Sequence, residues 1–116
     1  MNIFITGGCG YVGTALTNFL LKEKKNKITV FDSMWFGNFL IKHKNLTIIK
    51  DELKNIKKYS LNNYDCVIHL ANISNDPGVE LNPNLSWEVN VLSTYQLIEK
   101  SVQDGVKKFI FASLQK

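Results

Sequence analysis

Four glycines, Gly7, Gly8, Gly10 and Gly13, fall within seven residues of the opening stretch "FITGGCGYVGTAL". Gly8, Gly10 and Gly13 satisfy the spacing G-x-G-x-x-G, a loop that does its chemistry with main chain. One glycine permits a tight turn out of a strand, one lets the backbone approach a pyrophosphate, and one lets a helix pack close to a sheet. The diphosphate then rests on free N–H groups at the helix N-terminus, where the helix dipole favours negative charge. Asp32 stands 19 residues after Gly13, close to the roughly 20 expected of an acidic residue that accepts hydrogen bonds from an adenosine ribose. Such a carboxylate repels a 2′-phosphate, and its neighbour Ser33 is not basic. The pattern therefore points to NAD(H) rather than NADP(H).

These residues need strands and helices to hold them. "NIFIT" (2–6) is a short apolar run rich in β-branched residues and bounded by glycine, which reads as a buried strand. Val12, Leu16, Phe19 and Leu20 recur at helical spacing and predict a helix over about 13–23. "KITVFD" (27–32), "LTIIK" (46–50), "DCVIHLA" (65–71) and "KKFIFAS" (107–113) read as four further strands. The fourth is apolar on both faces, as a parallel strand covered by helices should be. A long helix is expected from Leu85 to "QDG", with Leu85, Val89, Leu92 and Val102 on one face and Gly105 as its cap. Strand–helix alternation implies right-handed crossovers and one parallel sheet. The expected fold class is α/β, a Rossmann-like doubly wound parallel sheet of about five strands, with residues 1–116 as a single domain. The connection "SMWFGNFLIKHKN" is irregular but aromatic, and is expected to pack.

Composition narrows the field. The chain has 116 residues, 45% hydrophobic, with a net charge of +4 carried by lysine and no arginine. Lacking guanidinium groups, it has no equipment for bidentate base recognition, and nucleic acid is not an expected partner. The run "KEKKNK" reads as a solvated helix end, where lysines face the negative pole of the dipole. Cys9 and Cys66 are far apart and read as buried thiols of a reducing compartment, neither a disulfide nor a metal framework. There is no signal-peptide pattern and no apolar run of membrane-spanning length, so a cytoplasmic protein without a membrane partner is expected.

"TGGCGYVG" with Asp32 resembles the extended short-chain dehydrogenase/reductase group, specifically the NAD-dependent nucleotide-sugar epimerases and dehydratases. Gly7, Gly10 and Gly13 also satisfy that group's T-G-x-x-G-x-x-G form. Asp51 after the third strand, "HLAN" (69–72), "WEVNVLST" (87–94) and "VKKFIFAS" (106–113) extend the resemblance in order to Ser113. It implies that Tyr11 and Val12 present backbone to the pyrophosphate, and that Asp32 and Ser33 sit at the adenosine ribose, with the segment to Gly37 bordering it. Asp51 with Glu52 would meet the adenine, although Asp51 also reads as a helix N-cap with Glu52 in the first turn. Leu70, Ala71 and Asn72 would line the cofactor cleft; Asn72 departs from the family's usual small residue. Asn90 would lie near the cofactor. The bland readings of other residues are preferred: His69 as a packed strand histidine satisfied locally, Trp35 and Phe36 as core or interface aromatics, and Asp76 as a loop cap.

The family's catalytic half is not in these residues. The resemblance implies a Ser or Thr where Leu114 stands, followed by a Tyr-x-x-x-Lys helix. Tyr11, Tyr59, Tyr64 and Tyr95 are followed four residues later by Ala15, Asn63, Ile68 and Glu99. Without a base in reach of a sugar hydroxyl, this chain is expected to bind NAD and not to turn over by itself. No catalytic or metal residue is assigned, and a nucleotide sugar is an expected partner only of a longer form. Relative to the family the chain reads as truncated after the fifth strand, leaving "FIFAS" as an apolar edge that invites self-association. Two other readings are an NAD(H)-sensing binding module and a non-catalytic interaction domain.

Overall fold

The computed structural model describes residues 1–34, 40–70 and 83–112, with the backbone alone over 83–90. Five parallel strands form one sheet: β1 (Asn2–Thr6), β2 (Lys27–Asp32), β3 (Leu46–Lys50), β4 (Cys66–His69) and β5 (Lys108–Phe111). Their order across the sheet is β3-β2-β1-β4-β5. From β1 the chain builds outward through β2 to β3, then returns to β1's other side to lay down β4 and β5. The direction of winding therefore reverses between β1 and β4, where doubly wound sheets open a crevice at their carboxyl edge.

Helix α1 (Tyr11–Leu21) covers one face and a 3-10 helix (Leu53–Lys58) with α2 (Pro83–Gln103) covers the other. The period-2 alternation of each strand divides the core accordingly. Ile3, Ile5, Ile28, Val30, Cys66 and Ile68 pack with Leu21 on the α1 side. Phe4, Phe31 and Val67 pack with Ile56, Leu61 and Leu97 on the α2 side. On that side an aromatic row runs Tyr64–Phe4–Phe31–Tyr59, with successive centroids 5.1, 5.7 and 5.3 Å apart.

All five strands stand where the sequence placed them, with β4 and β5 shorter at both ends than expected. The helix faces agree with expectation in part: Leu16 and Leu20 of α1 are partly buried against the core. Val12 and Phe19 of α1 are exposed, and the buried positions are Gly13, Thr17 and Leu21. The glycine loop draws this helix so near the sheet that small residues must form the contact, and apolar periodicity does not register them. On α2, Leu92 and Val102 are exposed while Ser93, Leu97 and Ser101 are buried; the Ser101 hydroxyl donates to the Leu97 carbonyl at 2.8 Å. Leu85 and Val89 belong to the stretch described by backbone only. The 3-10 helix falls where Asp51 was read as a helix N-cap, one residue later than that reading placed it.

Both ends of the helices behave as their residues require. Gly105 has φ +78°; its N–H donates to the Val102 carbonyl, and that of Val106 to Ser101, closing a Schellman cap. Lys22 follows α1 as its C-cap, and its ammonium lies 5.9 Å from the exposed Phe19 ring. Cys9 and Cys66 are buried and not joined in a disulfide. Of the irregular connection, Met34 and Leu40 pack against the α1-side core, while Trp35, Phe36 and Gly37 lie outside the described residues. Among the described residues no helix is long and apolar enough to cross a membrane.

Candidate functional site

The carboxyl ends of β1, β2, β3 and β4 bring the glycine loop, Asp32, Asp51 and Leu70 to one edge of the sheet. Each loop glycine answers to a different neighbour. Gly7 takes φ +80° to turn out of β1, and its N–H donates to the Phe31 carbonyl at 2.9 Å. A Cβ on Gly8 would lie 2.6 Å from a methyl of Val30, and one on Gly13 would lie 2.3 Å from the Gly7 carbonyl oxygen. Gly8 and Gly13 are thus demanded by the protein's own packing. At Gly10, among the described residues, the nearest atom to an added Cβ is 3.6 Å away, an ordinary contact, and φ is −74°. The described residues therefore do not themselves demand a glycine there.

What that space faces is a set of donors. The first hydrogen bond of α1 runs from Thr14 N–H to the Gly10 carbonyl at 2.8 Å, so the N–H groups of Tyr11, Val12 and Gly13 precede it. Among the described residues no side chain caps this end, and no acidic residue stands in the first turn. Tyr11 and Val12 are exposed. The arrangement fits an anion, such as a pyrophosphate, on orphan helix donors.

Asp32 is fixed by backbone on either side. One carboxylate oxygen accepts the Cys9 N–H at 2.9 Å and the other the Met34 N–H at 2.7 Å. Each oxygen keeps a second lone pair for a hydroxyl donor. Met34 adopts φ +60° to close this turn, and Ser33 between them is half-buried. Burial, with Asp32 close by, pushes the Cys9 thiol up to about 11, so Cys9 serves by its amide and not as a nucleophile.

Asp51 takes a role the sequence described only in part. Glu52, not Asp51, is the N-cap of the 3-10 helix, and it makes no side-chain cap bond. The Asp51 carboxylate instead accepts the Glu52 N–H at 2.7 Å, the Asn55 side-chain amide at 2.7 Å and the Tyr59 hydroxyl at 2.6 Å. The Asn55 bond foremost, then those from Tyr59 and Glu52, holds its pKa down to about 2, while the Tyr59 phenol is raised by the same partner. The spacing Asp51, Asn55, Tyr59 is the sequence signal for this cluster. The Glu52 side chain pairs with Lys54 at 3.1 Å on the surface.

At β4, the Leu70 side chain is buried in the α1-side core, and its N–H donates to the Thr6 carbonyl at 2.9 Å. Ala71 and Asn72 lie outside the described residues, as does Asp76; Asn90 is placed only by the backbone of α2. His69 is 1% exposed. Its Nδ1 is hydrogen-bonded to the Thr6 hydroxyl and its Nε2 to the Thr94 hydroxyl at 3.0 Å. Burial lowers its pKa to about 4, so the ring is neutral near pH 7. This is the locally satisfied strand histidine expected from the sequence; neither threonine partner was. Among the described residues no cluster of His, Cys, Asp and Glu could hold a metal.

The sequence profile of the NAD dependent epimerase/dehydratase family matches residues 3–114. The chain belongs to that family. It is 30% identical to a UDP-glucose 4-epimerase of Halalkalibacterium halodurans, over 97% of this chain and 34% of that protein. A solved UDP-N-acetylglucosamine 4-epimerase of Methanobrevibacter ruminantium superposes with a TM-score of 0.78 at 31% identity, over 95% of this chain and 36% of the other. A UDP-glucose 4-epimerase of Thermus thermophilus, solved with NAD, gives 0.76 at 26% identity, over 97% and 37%. The chain thus spans about a third of the length of the relatives it matches. Family membership agrees with the sheet order and with the glycine loop.

Proposed function

We propose that this chain is the NAD(H)-binding portion of a nucleotide-sugar epimerase/dehydratase-like enzyme. The observation that carries the reading is the room at Gly10, where no described residue demands a glycine, in front of the α1 donors that no described side chain caps. The pyrophosphate would rest on the N–H groups of Tyr11, Val12 and Gly13, beside Gly7 and Gly10. Asp32 would accept from the ribose hydroxyls with Ser33 at its side, and Asp51 and Glu52 would border the adenine. Leu70, Ala71 and Asn72, with Asn90 across the crevice, would flank the remainder. Bound there, NAD supplies a reversible hydride acceptor.

Asp32 gives the site its preference. Each of its carboxylate oxygens accepts one backbone N–H and can accept again, and a 2′-phosphate brought there would meet like charge, with Ser33 rather than a basic residue next in the chain. No tyrosine of these residues has a lysine four positions on. The 116-residue chain therefore binds cofactor without oxidising a sugar; a nucleotide-sugar substrate belongs to a longer protein.

Fluorescence titration of the purified chain with NADH, and with NADPH as control, tests this. NADH binds saturably, NADPH at least about tenfold more weakly, and Asp32→Ala narrows that difference. A folded chain that binds neither nucleotide overturns the reading.

A further inference from the structure

His69 is not among the residues facing the cofactor edge, yet it joins three elements that are. Thr6, bonded to its Nδ1, is the last residue of β1 and the immediate neighbour of Gly7. Thr94, bonded to its Nε2, lies on α2 one turn after Asn90. His69 itself precedes Leu70, and its carbonyl accepts the Ala112 N–H at 3.0 Å while the Phe111 ring packs on the imidazole at 5.2 Å. A space between a sheet and a helix can be filled by apolar side chains, which tolerate sliding. An imidazole satisfied at both nitrogens cannot slide: hydrogen bonds weaken steeply with distance and angle, and a buried ring nitrogen left unpaired is unfavourable.

We propose that His69 is a positioning residue of the cofactor site, its neutral ring setting the height of α2 against the glycine loop through the Thr6 and Thr94 hydroxyls. One ring nitrogen donates and the other accepts, and each threonine hydroxyl takes the complementary part. The inference rests on the NAD(H) reading above and adds to it the device that aligns the two sides of the crevice.

The test uses the whole 116-residue chain. Thr94→Val removes the Nε2 partner at nearly constant volume, Thr94→Ser keeps the hydroxyl, and Val67→Ala loosens the same face of β4 without touching the relay. NADH affinity and thermal midpoint are read for each. Thr94→Val weakens NADH binding about five- to tenfold, Thr94→Ser stays within about twofold of wild type, and Val67→Ala lowers the midpoint while keeping affinity within about twofold. In wild type, the His69 ring 15N resonances shift on NADH saturation. Unchanged affinity in Thr94→Val, or an equal loss in Val67→Ala, overturns the proposal. Should Thr94→Val fail to fold, ring resonances that stay put across the NADH titration overturn it by themselves. A folded wild type that binds no NADH is a different failure: it removes the cofactor reading first, and this inference with it.

Discussion

Alanine at position 10 and alanine at position 13 make different demands on the same loop. At Gly13 a Cβ would meet the Gly7 carbonyl at 2.3 Å and the Gly8 Cα at 2.5 Å, all of it backbone that cannot swing aside. Gly13→Ala therefore lowers the unfolding free energy by about 2 kcal/mol or more, seen as a large drop in the urea midpoint. Gly10→Ala leaves that midpoint almost unchanged, because the nearest atom among the described residues is 3.6 Å off. It lowers NADH affinity at least about tenfold, since its methyl occupies the approach to the helix donors. Equal effects of the two substitutions on stability would mean that Gly10 is a packing glycine after all. The two thiols make a residue-scale prediction as well. Cys9 and Cys66 are both buried with raised pKa values. Iodoacetamide at neutral pH labels neither in the native chain and both in denaturant, counted by intact mass.

At the scale of elements, the helices show where periodicity misleads. The buried stripe of α1 is Gly13, Thr17 and Leu21, and that of α2 contains Ser93, Leu97 and Ser101. Small residues mark close approach, whereas the apolar residues Val12, Phe19, Leu92 and Val102 that suggested the contact faces are exposed. The α2 ending was legible, because Gly105 is the one residue type that takes φ +78° without penalty. Among the described residues nothing lies within 4 Å of a Cβ built there, so Gly105→Ala tests backbone conformation. Its expected effect is a loss of about 1 kcal/mol, read from chemical denaturation. A neutral result would mean the Schellman turn can refold into another cap.

For the whole molecule, pH and surface decide behaviour. The His69 pKa falls from 6.5 in the unfolded reference to about 4 in the fold. The unfolded chain then binds more protons between these values, so His69's contribution is complete above pH 6.5 and is lost as pH falls toward 4. That loss is on the order of 3 kcal/mol. Asp51, held at about 2 against 3.8, adds a further loss only as pH falls from 3.8 toward 2. Urea midpoints measured from pH 7 to 3 should decline first through the histidine window; a flat profile there would place the ring in solvent. The surface is unfinished in one direction. Ile110 and Phe111 of the edge strand β5, and Val91, Tyr95, Ile98 and Val102 at helical spacing on α2, are exposed. The isolated chain is expected to self-associate with concentration in sedimentation velocity, and Ile110→Lys to reduce this.

The sequence by itself determined the strands, the glycine loop and the acid at the end of β2. Each of those signals is local: a β-branched run bounded by glycine, a fixed glycine spacing, a carboxylate at a set distance along the chain. Only the tertiary structure decided what depends on neighbours distant in sequence. It separated Gly8 and Gly13, required by Val30 and by Gly7, from Gly10, which no described residue requires. It suspended His69 between Thr6 and Thr94, 63 residues before and 25 after along the chain. Hydrogen-bond partners and contact faces are set by which strands pair and how closely a helix lies on them, and no spacing within one segment records that.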